Sequence, residues 1–291
     1  MATFKERASY DWTEDSIRIM ATPSAIAKNT FFYVQEIGSF QTKPNYFTER
    51  EHLPSYLIVF TRGGKGYLTY ENKKYTLLPN QIFFIDCMNY HYYETDKNDL
   101  WDILWVHFNG PVGQGYYQYF KRHGSPVVSV SGNSTITQIM RTLLDAQQSH
   151  DLHKEPLSSK LITDLLTELI FAANPIFSSG ALIPDSISTI MIEMEKRFNS
   201  RFSLDQLASE HAISKFHLVR EFKKYTGSSP NEYLIKCRIS YAKKLLKYSD
   251  LSVSEIAFSV GIENVSHFIN LFKSREQLTP LTYRKQWQKQ N

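Results

Sequence analysis

The chain has 291 residues, of which 42% are hydrophobic and 21% are charged, and its formal net charge is +4. These values describe a globular protein long enough for two domains, each with its own core. No apolar run reaches the roughly 18 residues of a membrane-spanning helix, and the mixed-charge N-terminus predicts no secretion signal. The only cysteines are Cys87 and Cys237, far apart in the sequence, so we expect no disulfide framework and a reducing cytoplasm as the setting.

Positive charge is concentrated in the C-terminal part of the chain. Residues 184–291 hold 17 Lys and Arg against 11 Asp and Glu, a balance of +6, whereas residues 1–183 hold 16 against 18, a balance of −2. This uneven distribution points to a polyanionic partner for the C-terminal part alone.

Residues 56–108 carry a pattern typical of short antiparallel strands. Stretches rich in β-branched and aromatic residues, such as YLIVFTR and IFFID, alternate with turn sequences. In one of these turns, Asn80 is expected to adopt a left-handed backbone conformation. We therefore predict a small antiparallel barrel or sandwich over about residues 30–115.

The stretch WDILWVHF is apolar on both faces of its predicted strand. Alternation places Trp101, Ile103, Trp105 and His107 on one face and Leu104, Val106 and Phe108 on the other. A strand that is apolar on both faces must be covered on both. We therefore expect one face to line the barrel interior and the other to pack against a helix.

After residue 132 the hydrophobic period changes to that of a helix. Two amphipathic segments joined by a polar stretch predict a helical hairpin over about 134–173. The hairpin has two candidate roles, covering the barrel or forming a coiled-coil-like dimer seam, and both stay open. A linker is predicted at 179–185, between an N-terminal domain, 1–178, and a helical C-terminal domain, 186–291.

The C-terminal domain contains one helix–turn–helix pattern twice, over about 203–224 and 252–273. The stretch FSLDQLA in the first copy matches LSVSEIA in the second, and FKKYTGSSPNEY returns as FKSREQLTPLTY. Each copy opens with an expected capping box, Ser203 with Gln206 and Ser252 with Glu255. A long predicted helix connects the two copies.

Such a pair of units is suited to reading double-stranded DNA. A recognition helix fits the major groove and presents its exposed N-terminal face to the base edges. Two of them held by a stiff connector can enter successive major grooves, about 34 Å apart, on one side of the duplex. The repeat therefore predicts a sequence-specific DNA-binding protein.

These motifs resemble the DNA-binding domain of the AraC/XylS family of transcriptional regulators. The matching stretches are FKKYTGSSPNEYL, Arg238 followed by AKKLL, IAFSVGIENVSHFINLFK and TPLTYRK. The sequence departs from the family pattern at Gln277, where a glycine is expected, and at Asn270, where an arginine is common. The resemblance implies a regulator that is not an enzyme, more often an activator than a repressor, with RNA polymerase as a further partner.

The resemblance carries the family's base-facing positions onto both recognition helices. They are Phe216, Val219 and Arg220 in the first helix, and Val265, Ser266, Ile269 and Asn270 in the second. Lys215 and His217 are expected at phosphates or flanking positions. An arginine can grip a guanine through two hydrogen bonds, although Arg220 could instead form a surface ion pair with Glu221 or Glu210. Core positions are expected on the opposite helical face, at Leu218, Phe222, Phe268 and Phe272.

The strand-rich stretch resembles the cupin-like ligand domain of the sugar-responsive members of the same family. Its landmarks are GKG, the turn before IFFID, HYY and the closing WVHF. The resemblance implies a sugar effector and places Arg50, Tyr93 and Trp105 where the arabinose-binding member contacts its sugar. His91 and Trp101 are expected near the same lumen, with an aromatic core as their alternative role.

Taken together, these features predict an α+β multidomain protein. It has an N-terminal cupin-like β-barrel with a helical hairpin and a C-terminal all-α domain with two helix–turn–helix units joined by a long helix. A homodimer is expected. Ile103 stands where the arabinose-binding member has a histidine, so the identity of the sugar, a pentose or an oligosaccharide such as an α-galactoside, stays open.

The sequence contains no motif typical of a metal site or of an enzyme active site. HYYE holds one histidine where a cupin metal site needs two, and His150 and His153 lie in a predicted loop without cysteine partners, so we expect no metal and no cofactor. No GxSxG, HExxH or phosphate-binding loop occurs. The alternatives to a sugar-controlled activator are a cupin-type enzyme tethered to a DNA-binding domain and a ligand-independent DNA-binding protein.

Overall fold

The computed structural model describes residues 3–122, 124–130, 135–149, 153–174 and 183–288. The chain divides into two compact units, residues 1–180 and 181–291. Most of the predicted linker, and His150 in the predicted loop, lie outside the described residues. Of the helices that the structure describes, none is long and apolar enough to cross a membrane.

The first unit is mostly β-structure. Its strands are β1 (Lys5–Ser9), β2 (Ile17–Met20), β3 (Tyr33–Gln41), β4 (Phe47–Glu51), β5 (Tyr56–Gly63), β6 (Gly66–Tyr70), β7 (Lys73–Leu77), β8 (Gln81–Asp86), β9 (His91–Thr95), β10 (Asp102–Asn109) and β11 (Val127–Ser129). Its helices are α1 (Ala25–Thr30), α2 (Gly113–Lys121), α3 (Thr135–Gln148) and α4 (Lys154–Ala173). Strands β5 to β10 confirm the strands expected between residues 56 and 108.

The strands form two antiparallel sheets that face each other. Their strand orders are β1-β4-β9-β6-β7 and β11-β8-β5-β10-β3-β2. Among the described strands no ladder joins the two sheets, so the predicted barrel is corrected to an open two-sheet sandwich. The physical reason is that each sheet keeps two unpaired edges, whereas a barrel pairs its first strand with its last.

The central strand β10 is buried on both faces, as its sequence predicts. Ile103 and Trp105 belong to the apolar cluster between the two sheets. Leu104, Val106 and Phe108 belong to a second cluster, which they form together with residues of α2, α3 and α4. The helical hairpin therefore covers the outer face of the six-stranded sheet, which confirms the first of its two candidate roles.

Strand β1 is absent from the sequence prediction because its residues, KERAS, lack an apolar alternation. It forms by antiparallel pairing with β4. Exposed ion pairs flank this ladder, Lys5 with Glu51 at 2.7 Å and Arg7 with Glu49 at 2.6 Å. Because exposed pairs contribute little stability, β1 is held to the sandwich mainly by its backbone hydrogen bonds and by the few side chains that reach inward.

The second unit is entirely helical within the described residues. Its helices are α5 (Asp185–Lys196), α6 (Leu204–Glu210), α7 (Lys215–Thr226), α8 (Pro230–Tyr248), α9 (Val253–Ser259), α10 (Val265–Glu276) and α11 (Pro280–Gln288). Helices α6 and α7 form the first helix–turn–helix unit and α9 and α10 the second, with α8 as the connecting helix. This arrangement confirms the repeat expected from the sequence.

One of the two predicted capping boxes forms completely. Ser252 accepts from the backbone N–H of Glu255, and the Glu255 carboxylate accepts from the Ser252 backbone N–H. In the first copy, Ser203 accepts from the Gln206 backbone at 3.4 Å, but the Gln206 amide donates to Glu210 instead of reaching back. The prediction of a reciprocal box at Ser203 was therefore wrong, because the Gln206 side chain is turned toward Glu210, to which its amide donates a charge-assisted hydrogen bond, and its oxygen does not accept from the Ser203 backbone.

Gln277 shows how the second unit accommodates its departure from the family pattern. It ends α10 in the left-handed conformation, with φ of 59°, where Gly227 ends α7 with φ of 74°. A side chain in this conformation costs about 1–2 kcal/mol. The helix thus ends at the same place without a glycine, at some cost in backbone strain. Asn80 is also left-handed, with φ of 66°, as expected.

We predict that Gly261→Ala destabilises the second unit more than Gly227→Ala does. The two glycines have nearly the same φ, 75° and 74°, so both substitutions carry the same penalty of about 1–2 kcal/mol. A Cβ on Gly261 would lie 2.4 Å from the backbone oxygen of Asn199, whereas nothing lies within 4 Å of a Cβ on Gly227. The clash should cost at least ~1 kcal/mol more.

Urea unfolding of both variants of the full chain, followed by circular dichroism at 222 nm, measures the difference. Because only the contact with Asn199 distinguishes the two sites, the Gly227 variant is the matched control. Equal losses of free energy of unfolding would show that the second turn yields to the added methyl group.

Candidate functional site

The second unit presents two recognition helices with the same division into buried and exposed faces. Leu218 and Phe222 of α7 are fully buried in one apolar cluster, and Phe268 and Phe272 of α10 are fully buried in another. This confirms the expected core positions. Each helix starts behind a side-chain cap that accepts a backbone N–H, from Ser214 in α7 and Asn264 in α10.

Of the nine predicted DNA-contacting residues, six are exposed and three are half-buried, and two of the half-buried ones, Val265 and Ile269, also pack against the core. The exposed ones are Lys215, Phe216, His217, Arg220, Ser266 and Asn270, and the half-buried ones are Val219, Val265 and Ile269. Phe216 is 88% exposed, which is unusual for a large apolar side chain in a folded protein. These side chains are therefore accessible to a DNA duplex. Their contacts with bases stay a prediction.

Arg220 is held only by contacts that DNA can replace. Its Nε lies 3.4 Å from Glu221 Oε1, and its Nη2 donates to His217 Nδ1 at 3.1 Å. Lys215 pairs in the same way with Asp205 at 2.9 Å. Ion pairs at such exposure contribute about 0–1 kcal/mol, so releasing them costs little.

Arg238, one of the family-matching residues, has a structural task. Its half-buried guanidinium donates to the backbone oxygens of Phe198 at 2.8 Å and Ser200 at 3.0 Å. These bonds tie α8 to the segment between α5 and α6. Because Asn199 of the same segment touches Gly261, the connecting helix and the turn of the second helix–turn–helix unit are fixed against one short stretch of chain.

The first unit contains a cavity between its two sheets. The space open to the centre of a water-sized sphere is about 20 Å³, room for about one water molecule, so a larger ligand must displace side chains to enter. The cavity is lined by Tyr10, Trp12, Arg18, Glu36, Phe40, Tyr46, Thr48, Arg50, Tyr93, Trp105 and His107. Three predicted ligand residues, Arg50, Tyr93 and Trp105, therefore line one cavity, although they come from β4, β9 and β10.

The other two predicted ligand residues do not line this cavity. Trp101 is fully buried, and its indole Nε1 donates to Thr61 Oγ1 at 3.0 Å. His91 is fully buried too, with its ring 6.3 Å from that of Tyr93 and nearly parallel to it. Both residues therefore support the wall of the sandwich, which was their alternative role.

A buried hydrogen-bonded chain runs from Arg50 into the core. Arg50 Nη1 lies 3.0 Å from His107 Nε2, and because a guanidinium can only donate, His107 Nε2 accepts. The ring proton then sits on His107 Nδ1, which donates to Ser55 Oγ at 2.9 Å. Burial, and then the Arg50 charge, hold the pKa of His107 well below its usual range, so this histidine stays neutral.

The N-terminal strand supplies the only carboxylate that pairs with Arg50 among the described residues. Glu6 Oε1 lies 3.0 Å from Arg50 Nη2 and also accepts from the Tyr10 hydroxyl at 2.6 Å. Burial alone would raise the pKa of Glu6, but the hydrogen bond from Tyr10 and the Arg50 charge lower it overall. Beyond Tyr10, Trp12 stacks on Phe40 with ring centroids 4.2 Å apart.

No sequence pattern indicates this N-terminal contribution or the places of Arg18, Glu36, Tyr46 and Thr48 in the cavity wall. The nearest signal is charge: KER in β1 alternates in sign, and so does the stretch ERE at the end of β4. Opposite charges favour cross-strand pairing, but the period is too short to locate a partner more than 40 residues away.

Two buried donors in the cavity wall have no hydrogen-bond partner within the part of the chain that the structure describes. They are Arg50 Nε and the indole Nε1 of Trp105. A buried donor without an acceptor costs about 1–3 kcal/mol. An acceptor-bearing molecule in the cavity would recover that free energy. No group of three metal-binding side chains occurs among the described residues, and both cysteines are free thiols.

Two family models match the chain. One is described as an AraC-like ligand binding domain and matches residues 33–166, and the other is described as a helix-turn-helix domain and matches residues 207–286. The first match covers strands β3 to β11 and most of the helical hairpin but not β1 and β2, and the second covers both recognition helices.

Two relatives align with this chain over more than nine-tenths of its length. The MmsAB operon regulatory protein of Pseudomonas aeruginosa is 24% identical, over 94% of this chain and 92% of its own. The HTH-type transcriptional activator RhaR of an Enterobacter species is 25% identical, over 91% of this chain and 98% of its own. The solved C-terminal domain of the response regulator yesN from Fusobacterium nucleatum is 35% identical, over 34% of this chain and 98% of its own, with a TM-score of 0.33.

We predict that acidification destabilises the first unit through His91. Burial lowers the pKa of His91 to about 4, whereas the unfolded chain has a value of about 6.5. The unfolded chain therefore takes up the proton first. The stability that neutral His91 contributes is fully present above the unfolded pKa and is lost as the pH falls toward the folded pKa, by ~2 kcal/mol at pH 5.

Urea unfolding at pH 7 and pH 5 tests this, with His91→Gln losing less free energy of unfolding between the two pH values than the parent chain. His267→Gln, which changes an exposed ring in the second unit, is the control. A pH-dependent loss of the same size in all three proteins would contradict the assignment.

Proposed function

Because the chain belongs to the AraC/XylS family of transcriptional regulators, we propose that it activates carbohydrate-utilisation genes when a small molecule occupies its sandwich cavity. The observation that carries the DNA-binding half is the duplicated helix pair, in which α7 and α10 bury the same two positions and expose the same face. In this proposal the two helices enter successive major grooves, about 34 Å apart, on one side of the duplex.

The exposed residues take distinct roles in the proposed complex. Arg220 reads a guanine, Asn270 an adenine, and the apolar side chains Val219 and Ile269 contact thymine methyl groups. Phe216, Val265 and Ser266 also face the bases. Lys215 and His217 contact phosphates or flanking positions and fix the position of the helices on the duplex.

The cavity is proposed as the effector site. Arg50 offers charged donors, and Trp105 and Tyr93 offer aromatic surface against which the C–H groups of a sugar can pack. From the N-terminal segment, Tyr10 lines the same cavity, and Glu6 contacts Arg50 beside it. A ligand in the cavity that displaces these side chains would shift the equilibrium between two arrangements of the N-terminal segment. This change in the segment is how ligand binding would affect the rest of the protein. The binding test is a thermal-shift screen of neutral and acidic sugars.

Activation is proposed over repression because relatives across most of the chain carry the name transcriptional activator. The same relatives support a role without catalysis, in preference to a tethered cupin-type enzyme. RNA polymerase is the partner that an activator implies. A regulator of this kind works where the DNA is, which we propose to be the cytoplasm.

We further propose that two copies associate through the outer face of α3 and α4. The groove between these helices is lined by Ile139 and Leu161, with polar side chains such as Thr142 and Asp164 around them. Ile139 and Leu161 form its floor and are only 8% and 7% exposed, so the surface offered to a partner is mainly polar. A polar surface of this kind would suit a reversible association rather than a permanent one. Sedimentation velocity at micromolar concentration measures this association, and a strict monomer with and without ligand would contradict it.

We predict that Arg220→Ala weakens binding to a specific promoter site by ~1–3 kcal/mol while sparing most non-specific affinity, because it removes a base contact. Lys223→Ala, on the same helix and also exposed, is the matched control for the loss of one positive charge. It should weaken specific and non-specific binding by similar factors and lower the salt dependence of both.

Gel-shift titrations against the promoter fragment and a scrambled fragment, at two salt concentrations, separate these effects. If Arg220→Ala lowered both affinities equally, as the control does, Arg220 would be a phosphate contact and the assignment of α7 as a reading helix would lose its main support.

A further inference from the structure

We propose that the effector of this cavity carries a carboxylate, as in a sugar acid or a small hydroxy acid, and that Glu6 occupies the place of that carboxylate in the unliganded protein. This inference rests on the proposed role of the cavity as an effector site and specifies the chemistry of its ligand. It depends on the charge balance around Arg50.

Arg50 is a buried cation with a single anionic partner among the described residues. It is 8% exposed, and its guanidinium contacts two side chains, His107 through Nη1 and Glu6 through Nη2. His107 accepts from Arg50 without bearing charge. Removing one member of a buried ion pair costs several kcal/mol in general, so a ligand that displaces Glu6 must supply a negative charge of its own.

The other charged groups of the cavity do not supply the negative charge that Arg50 needs when Glu6 is displaced. Arg18 and Glu36 pair with each other at 2.9 Å, so their charges cancel. The lining holds Arg18, Arg50 and Glu36 as its charged side chains and so has a net charge of +1, which Glu6 balances by contacting Arg50 from beside the cavity. A neutral sugar could hydrogen bond to Arg50 but would leave this charge uncompensated.

Glu6 is also an incomplete partner for Arg50. It accepts from Nη2 alone and leaves Nε, on the same edge of the guanidinium, without an acceptor. A carboxylate that binds this edge with both oxygens makes two parallel hydrogen bonds and is the stronger ligand. The unpartnered Trp105 Nε1 offers a third donor, suited to a hydroxyl or ring oxygen of the same molecule.

The strand that carries Glu6 is held by backbone pairing with β4 and gains little from its other charged side chains. It is an edge strand, and its other charged side chains, Lys5 and Arg7, make ion pairs with β4 at the surface. Such pairs contribute about 0–1 kcal/mol each. The contact between Glu6 and Arg50 is therefore the one that a ligand must match, and a free carboxylate is its direct chemical equivalent.

The test compares matched acids and neutral sugars on the full chain by isothermal titration and thermal shift. The pairs are glucuronate with glucose and galacturonate with galactose, with lactate as a minimal hydroxy acid. We expect an acid to bind at least about tenfold more tightly than its neutral counterpart, as a charge-assisted bidentate contact implies.

Variants identify the site. Glu6→Gln removes the internal competitor and should tighten binding of the acid by about tenfold, whereas Arg50→Lys keeps the charge, loses the planar edge and should weaken binding by a similar factor. Glu49→Gln is the matched control, because Glu49 pairs with Arg7 outside the cavity and its loss should leave binding unchanged.

Two results would overturn the inference in distinguishable ways. If neutral sugars bound as tightly as the acids and Glu6→Gln had no effect, the carboxylate assignment would be wrong while the effector site stood. If no acid and no neutral sugar bound the parent chain or Glu6→Gln, the proposed effector site would fall together with its ligand class.

Discussion

The first unit depends on one strand, β10, being apolar on both faces. Its inward face supplies Trp105 and His107 to the cavity between the sheets, and its outward face packs Leu104 and Val106 against the helical hairpin. Close-packed interiors do not absorb displacements locally. A ligand that moves the cavity wall therefore acts on the same strand that supports α3 and α4, so the proposed effector site and the proposed dimer surface share one structural element.

A second constraint is the buried charge at Arg50. The hydrogen bonds from Arg50 to His107 and from His107 to Ser55 fix the orientation of the guanidinium, and neither His107 nor Ser55 carries a charge that could balance it. Among the described residues, the compensating charge comes from Glu6, on a strand at the edge of its sheet. The anionic partner of Arg50 therefore lies at the margin of the sandwich, an arrangement suited to exchange with a ligand.

The second unit shows how one fold is encoded by two different sequences. Both copies need a left-handed residue inside the turn, which is Ala212 in the first and Gly261 in the second. Both need another at the end of the recognition helix, Gly227 in the first and Gln277 in the second. Backbone geometry is thus kept in each copy while the side chains differ, and the strain falls on a different turn in each.

Local periodicity by itself determined much of this protein. It was enough to locate strands β5 to β10, the helical hairpin and both helix–turn–helix units, and to separate core positions such as Phe222 from exposed ones such as Arg220, because the period of a helix or strand states which face a residue occupies. Only the tertiary structure decided that Trp101 is a core residue although it shares a strand face with Trp105, and that Glu6 meets Arg50. Both facts depend on which distant strand lies opposite, and a pattern confined to neighbouring residues carries no information about such long-range pairing.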